Sequence, residues 1–480
     1  MRIEMTFTTM AFAIFMAITF VLYYLVPKKL QWIVLLLANG YFYYQTGLNS
    51  ALFLLGTILV SYLAGILIER TGQKRWAIAV TLILFVALLG IMRMPFASFI
   101  MPLGLSFYTL QCIGYCIEVY RQTTPAEKNP AKYALFISFF PHVLQGPFAD
   151  YNELKKQLYS EHPFDYERCV KGCYRVALGL MKKLIIADRI GYVIDTVYEN
   201  PTDYFGMTIF LVMVLYAIQL YTDFSGFMDM ALGCASMLGI TLRENFNVPY
   251  LSKSMAEFWR RWHISLGLWF KNYVFYPVQR SQLCTKIRKD MKKKKNRYGM
   301  NVLPTVISLT AVWTLIGLWH GFDWNYLCYD WFCGLIIIIS ELLKPLYDRI
   351  NHMNPRFASS RFMDALRTIR TFLLVVFSFL LFRPDTMETS IILFRNLFSQ
   401  IGFYAMAEFI YWHIYDLFLI ALPLVILLIV DVLAYKKIDV MDKMRKWNPL
   451  LRYIIYIAGL LLLYITRGDM ASGGFAYYVF

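Results

Sequence analysis

Charged residues are scarce in this sequence. Lys, Arg, Asp and Glu make up 16% of the 480 residues, whereas 59% of the residues are hydrophobic. This composition excludes a soluble domain with an anchor and indicates a polytopic membrane protein. The net charge of +16 does not predict nucleic-acid binding, because Lys and Arg cluster in the short connections between apolar runs, as in the positive-inside pattern.

Several catalytic signatures are absent as well. The sequence has no GxSxG nucleophile elbow, no Walker loop and no HExxH pair, which argues against a serine hydrolase, an ATPase and a zinc protease. The eight cysteines show neither metal-like nor disulfide-like spacing, and we interpret them as core residues. We therefore expect no metal and no bound cofactor.

What the sequence does have is a succession of apolar runs. They lie at residues 7–26, 31–47, 51–68, 76–93, 97–118, 203–221, 302–320, 324–343, 369–383, 415–434 and 450–465. These runs predict an all-α polytopic fold of roughly eleven or more transmembrane helices. Segments 133–147, 225–240 and 258–276 are too polar or too interrupted for lipid-facing spans, so we expect them to form a re-entrant, funnel-shaped centre.

The basic loops predict an orientation. Lys and Arg follow the first, third and fifth runs, which places these loops in the cytoplasm and both chain termini outside a cell membrane. The lysine run 292–295 is interpreted as a lipid-facing or topology signal rather than a substrate site.

The stretch 258–276, FWRRWHISLGLWFKNYVFY, combines basic and aromatic residues. A continuous helix would place Trp259, Trp262 and His263 on one apolar face, where a buried imidazole tends to be neutral. An interfacial helix with snorkelling arginines has the same composition, so that interpretation stays open. Asn245 and Asn247 are expected to shape a turn before this stretch.

His320 ends the apolar run 302–320, in which residues 302–318 carry no charge, and ionisable residues inside a membrane are functional candidates by default. With the predicted orientation it lies deep in the membrane or toward its far side, so a cytoplasmic donor needs a tunnel to reach it. A lone His142 beside a proline break is interpreted as structural.

A polar cluster, Tyr221, Asp223, Ser225 and Asp229, follows the run 203–221. Asp223 is predicted either to pair with an arginine of the central stretch or to fix a histidine tautomer. The alternative is that these Asp and Ser side chains cap a helix.

Six segments carry a family resemblance. They are 102–121 (PLGLSFYTLQCIGYCIEVYR), 139–147 (FFPHVLQGP), 180–189 (LMKKLIIADR), 221–233 (YTDFSGFMDMALG), 244–277 around RRWHIS, and 317–325 (GLWHGFDWN). The sequence resembles the membrane-bound O-acyltransferase family, in particular its bacterial alginate O-acetyltransferase-like branch, with the teichoic acid D-alanyltransferases as neighbours. The resemblance covers residues 1–345 and implies a single membrane domain, 1–480, with additional helices at 346–466 and an extracytoplasmic aromatic tail at 467–480.

The resemblance also implies roles. His320 is the expected catalytic base, and His263 is a second essential histidine that positions the acceptor or stabilises charge. Arg260 and Arg261 are candidates for contacting donor phosphates or pantetheine, although a purely interfacial role stays open. Three further residues are assigned to substrate binding: Trp262, Trp319 and Asp223.

The last residues, GGFAYYVF, resemble the short C-terminal motif of this branch, whose tyrosine is proposed as an acyl relay. The matching residue is Tyr477, although Tyr478 and Val479 depart from the usual Phe and Gln. An interfacial aromatic anchor is the alternative.

The predicted activity is transfer of an acyl group, preferably acetyl, from a cytoplasmic thioester, acetyl-CoA or an acyl carrier protein, to an extracytoplasmic cell-envelope polysaccharide. An exported acyltransferase is an expected partner. D-alanyl transfer from a carrier protein to teichoic acid is the alternative enzyme. A lipid-linked glycan transporter or flippase is the alternative of another class, although the internal symmetry common in transporters is not apparent.

Overall fold

A computed structural model describes residues 5–93, 102–400, 402–436, 438, 440–444 and 446–466. Throughout these described residues, every regular element is a helix. The predicted all-α class is therefore confirmed.

Each of the eleven apolar runs overlaps a helix. These helices are Met10–Leu25, Gln31–Thr46, Leu48–Arg70, Arg75–Met92, Leu105–Tyr120, Gly206–Met237, Arg297–His320, Trp324–Leu342, Arg361–Phe382, Ile414–Tyr435 and Pro449–Thr466. Within the described residues, seven helices of at least 18 residues are apolar enough to cross a membrane: Leu48–Arg70, Arg75–Met92, Gly206–Met237, Arg297–His320, Trp324–Leu342, Arg361–Phe382 and Ile414–Tyr435. The chain is thus a multi-pass membrane protein.

Shorter elements connect these helices. The α-helices are Pro130–Ser138, Phe140–Val143, Tyr151–Leu158, Tyr166–Leu180, Asp188–Glu199, Met255–Arg261, Ile264–Phe270, Tyr276–Gln279, Gln282–Lys293, Lys344–Met353, Pro355–Ala358, Met387–Leu397, Tyr404–Trp412 and Val440–Met444. Two 3₁₀ turns, Lys28–Leu30 and Pro249–Leu251, and two π-helical turns, Met181–Ala187 and Lys271–Phe275, complete the set.

The chain divides into two compact units. The first contains the described residues of Met1–Leu184 and Asp223–Glu244, and the second contains Ile185–Thr222 and the described residues from Asn245 onward. The expectation of a single membrane domain with additional C-terminal helices stays a prediction.

In the first unit, the predicted interruption near residue 140 is present and buried. Helix Pro130–Ser138 is followed by the non-helical residue Phe139, and helix Phe140–Val143 begins directly after it. The side chain of Asn39 bridges the break, since its Oδ1 accepts from the Phe140 N–H at 3.0 Å and its Nδ2 donates to Ser138 Oγ at 3.2 Å. Non-helical backbone in a membrane needs such internal partners. His142 is buried and bonded to the Phe136 carbonyl at 3.0 Å, which fits its structural interpretation.

Segment 225–240 differs from the expectation of a separate re-entrant element. Its first part continues the 32-residue helix Gly206–Met237. Asp223, Ser225 and Asp229 therefore lie inside a helix, where the backbone N–H groups already have helical partners. The helix-cap interpretation of these residues is wrong.

Candidate active site

The central stretch 258–276 is broken at its single histidine, His263. Helix Met255–Arg261 ends before Trp262, whose backbone is extended, and His263 has φ 46° and ψ 53° before helix Ile264–Phe270 begins. A left-handed conformation is uncommon for a residue other than glycine and costs of order 1–3 kcal/mol. The chain turns at His263, so the shared helical face that a continuous helix would give Trp259, Trp262 and His263 is not formed.

Asn245 stabilises this break. Its Oδ1 accepts from the Ser265 N–H at 2.9 Å and lies 3.4 Å from Nδ1 of His263, and its backbone carbonyl accepts from the Ile264 N–H at 3.0 Å. Asn247 adds a backbone bond from its N–H to the Arg261 carbonyl, at 3.0 Å. The turn expected from these asparagines thus supports the backbone at His263, and sequence analysis did not recognise this link.

Trp262 is buried in an aromatic cage. The ring centroids of four residues lie within 6.4 Å of its own: Phe246 at 5.0 Å, Phe258 at 5.5 Å, Tyr250 at 6.2 Å and Tyr221 at 6.4 Å. The Tyr221 hydroxyl donates to Asp431 at 2.9 Å. Since Trp262 is only 2% exposed, its clearest role is to hold the backbone beside His263, and the substrate contact assigned to it stays a prediction.

His320 is the last residue of helix Arg297–His320, and its Nδ1 lies 2.7 Å from Oδ2 of Asp330. Their side chains are 3% and 0% exposed. An ionised carboxylate can only accept, so the proton of a neutral His320 sits on Nδ1 and the lone pair on Nε2. This is the tautomer that a general base needs, with a carboxylate that fixes the ring.

Close packing of two helices brings Asp330 to His320. Helix Trp324–Leu342 follows Arg297–His320 after a short turn, and a Cβ atom on Gly317 would lie 3.0 Å from the Leu327 side chain. A Cβ on Gly334 would meet the Trp313 ring. The two glycines therefore permit a backbone approach that larger residues would prevent. Sequence analysis missed Asp330, although a carboxylate within the run 324–343 was itself a signal.

An indole lies against both histidines. The Trp319 ring is 6.4 Å from the His263 ring and 5.2 Å from the His320 ring, centroid to centroid. Phe382 and Tyr329 lie 5.5 Å and 6.3 Å from His320. Aromatic surroundings of this kind exclude water from the space around the two imidazoles.

The two arginines of the central stretch differ. Arg260 is exposed. Arg261 pairs with Glu257 at 2.7 Å and lies over the Tyr435 ring at 5.4 Å. Arg261 therefore holds local structure, and Arg260 is the better placed of the two to meet a ligand from outside.

Asp223 belongs to a buried group of charges in the first unit. It pairs with Lys183 at 2.7 Å, while Asp229 pairs with Lys182 at 2.7 Å and with Arg175 at 3.0 Å. Burial acts to lower the pKa of Arg175, but its bonds to Glu244 and Asp229 raise that pKa above its ordinary value. The structure thus gives Asp223 a lysine as ion-pair partner, whereas the carboxylate on His320 is Asp330. The predicted pairing of Asp223 with an arginine of the central stretch, or with a histidine whose tautomer it fixes, stays a prediction.

Two further predictions concern the acyl relay at Tyr477 and the binding of a metal. Tyr477 lies outside the described residues. Within the described residues, no group of three or more His, Cys, Asp or Glu side chains is arranged to hold a metal ion.

Comparison with known proteins points to one family. Residues 123–289 match the family model described as MBOAT, membrane-bound O-acyltransferase family. The Probable alginate O-acetylase AlgI of Pseudomonas aeruginosa is 30% identical over 413 residues, which cover 80% of this chain and 73% of that protein.

Two other relatives are named for polymers other than alginate. The Peptidoglycan O-acetyltransferase of Helicobacter pylori is 26% identical, over 77% of this chain and 74% of that protein. The Teichoic acid D-alanyltransferase of Bacillus subtilis is 28% identical, over 72% of this chain and 82% of that protein. All of these names describe acyl transfer to a polymer.

Proposed function

The chain belongs to the membrane-bound O-acyltransferase family, and we propose that it transfers an acyl group, preferably acetyl, from a thioester donor to a polysaccharide of the cell envelope. The relatives named for alginate and peptidoglycan O-acetylation support the acyl group and the type of acceptor. The observation that carries the proposal is the buried pair of His320 and Asp330 at 2.7 Å.

The chemistry follows from the tautomer of His320. Nε2 takes the proton of an acceptor hydroxyl while the oxygen of that hydroxyl attacks the thioester carbonyl. The C–O bond forms, the C–S bond breaks, and the departing thiolate receives the proton from the imidazolium. Asp330 stabilises that imidazolium, as the carboxylate of a catalytic triad does. A positioned general base of this kind contributes about 10²–10⁴-fold in rate.

His263 has a different role in this scheme. Its backbone conformation is fixed by Asn245, and its ring contacts the same indole as His320. We assign it to positioning the acceptor or to stabilising the charge that develops on the carbonyl oxygen. The exposed Arg260 is assigned to the donor, where a guanidinium suits phosphate.

The proposal includes a direction across the membrane. The donor is cytoplasmic, either acetyl-CoA or an acyl carrier protein, and the acceptor is extracytoplasmic, with both chain termini on the acceptor side. In this relay the hydroxyl that attacks the thioester is the Tyr477 phenol: a base such as His320 takes its proton, and an aryl ester forms as the C–S bond breaks. An exported acyltransferase then passes the acyl group from Tyr477 to the polysaccharide hydroxyl, which releases the phenol. The basic loops of the sequence support this orientation.

A second candidate is D-alanyl transfer to teichoic acid, which the similarity to the Bacillus subtilis enzyme supports. Mass spectrometry of envelope polymers from a deletion strain separates the two functions. Loss of acetyl groups is the expected result. Loss of alanyl groups would favour the second candidate, and an unchanged spectrum of polymer acylation would contradict both.

A further inference from the structure

A basic cavity lies on the surface of the second unit. Its volume is about 680 Å³. Its described lining includes five cations and one carboxylate: Arg280, Lys286, Lys289, Lys292, Lys293 and Asp290. This excess of positive charge produces a local potential that attracts a ligand with phosphate groups.

The helix that carries these lysines, Gln282–Lys293, is firmly held on its other face. Cys284 is fully buried, at 0% exposure. Arg288 donates to the backbone carbonyl of Gln279 at 2.6 Å and to its side-chain oxygen at 2.7 Å, and the amide of Gln279 donates to Thr305 at 3.1 Å. Because Thr305 belongs to the candidate span Arg297–His320, the lysines stand at a fixed place beside a membrane helix.

Exposed apolar groups lie next to the cations. Leu283 is 57% exposed on the same helix, and Tyr276 is 39% exposed just before it. Lys271 and Arg280 lie over the Tyr276 ring at 5.7 Å and 5.8 Å. A helix with exposed lysines on one side and exposed leucine on another is typical of the membrane interface, and tyrosine is enriched at headgroup level. The cavity is therefore expected at the membrane surface.

We propose that this cavity binds the headgroup of an anionic phospholipid, with its phosphate oxygens held by Lys286, Lys289 and Lys293. Basic pockets beside membrane helices have the charge that such headgroups need. The phosphates of a soluble thioester donor share this chemistry. The exposed Leu283 favours the lipid, because an acyl chain that leaves the headgroup gains an apolar contact there, which a soluble phosphate does not.

The test compares lipid binding by three forms of the full chain, purified and placed in nanodiscs of phosphatidylcholine with increasing cardiolipin. They are the wild type, a cavity variant with Lys286→Gln, Lys289→Gln and Lys293→Gln, and a control with Lys28→Gln, Lys29→Gln and Lys74→Gln, which loses the same charge at exposed positions. Bound cardiolipin is measured by native mass spectrometry. The cavity variant should bind on the order of 100-fold more weakly, whereas the control should resemble the wild type.

Two additional measurements keep the outcome clear. All three forms should melt at the same temperature in phosphatidylcholine alone, and Leu283→Gln, which keeps every charge, should also weaken cardiolipin binding. Equal binding by the cavity variant and the wild type would overturn the proposal, as would an equal loss in the control. Coenzyme A is tested as a competitor. If it displaces cardiolipin, and if it also binds to lipid-free protein in detergent in a way that depends on the three lysines, the cavity binds a soluble phosphate and the lipid proposal is overturned.

Discussion

Replacing Asp330 by Asn tests the most specific feature of the proposed active site. The change keeps the volume of the side chain and removes its charge. In the proposed mechanism, Asp330 stabilises the imidazolium that forms on His320 during proton transfer. An amide cannot do this, and it can also donate to Nδ1 and move the proton to Nε2, which abolishes the base.

The magnitude follows from the geometry. Two unit charges 2.7 Å apart attract by about 6 kcal/mol at an effective dielectric constant of ~20. A neutral hydrogen bond that remains in the variant recovers part of this attraction energy. Since each 1.4 kcal/mol is about tenfold in rate, we expect kcat to fall on the order of 10³–10⁴-fold, as when the carboxylate of a catalytic triad is replaced.

The assay measures acyl transfer from a labelled thioester by purified enzyme in nanodiscs, next to its melting temperature. Asp364→Asn is the matched control, because it removes a carboxylate from a partly exposed ion pair with Lys253. The control should retain activity within a few-fold. If Asp330→Asn folds normally and also retains activity within a few-fold, Asp330 does not support the base and the reasoning is refuted.

Three further changes have defined outcomes. Tyr221→Phe removes the hydroxyl that holds the Trp262 cage and should reduce kcat by about two- to tenfold. Asp431→Asn keeps an acceptor for that hydroxyl, so its kcat should be close to that of the wild type. Equal activity of Tyr221→Phe and wild type in the transfer assay would contradict this. Gly179→Ala adds a Cβ 2.5 Å from a backbone oxygen and should destabilise the protein by about 1–3 kcal/mol, seen as a lower melting temperature; an unchanged melting temperature would contradict the packing. Tyr477→Phe should preserve membrane insertion but block polymer acylation, and normal acylation would leave the tail as an anchor only.

Hydropathy located the long helices well because a membrane helix needs about 20 apolar residues in sequence, so its signal is local. It also indicated the break near residue 140, where Pro141 and Gly146 interrupt the run. It did not indicate that Asn39, a hundred residues earlier, completes the hydrogen bonds of that break.

The candidate site was predicted unevenly for the same reason. His320 and His263 stand out as ionisable residues in apolar surroundings, which is a property of the sequence. The left-handed turn at His263 depends on hydrogen bonds to Asn245, and the partner of His320 depends on how two helices pack at Gly317 and Gly334. Neither the turn at His263 nor the partner of His320 can be predicted from helical periodicity.

The central claim is that Nε2 of His320 takes the acceptor proton, and His320→Ala tests it most directly. The measurement is polymer acylation by mass spectrometry in a deletion strain that carries the variant, with the amount of folded protein in the membrane determined in parallel. His352→Ala, at an exposed position, is the control and should restore acylation fully. His320→Ala is predicted to accumulate as folded protein and restore none. Wild-type acylation by folded His320→Ala protein would contradict the account.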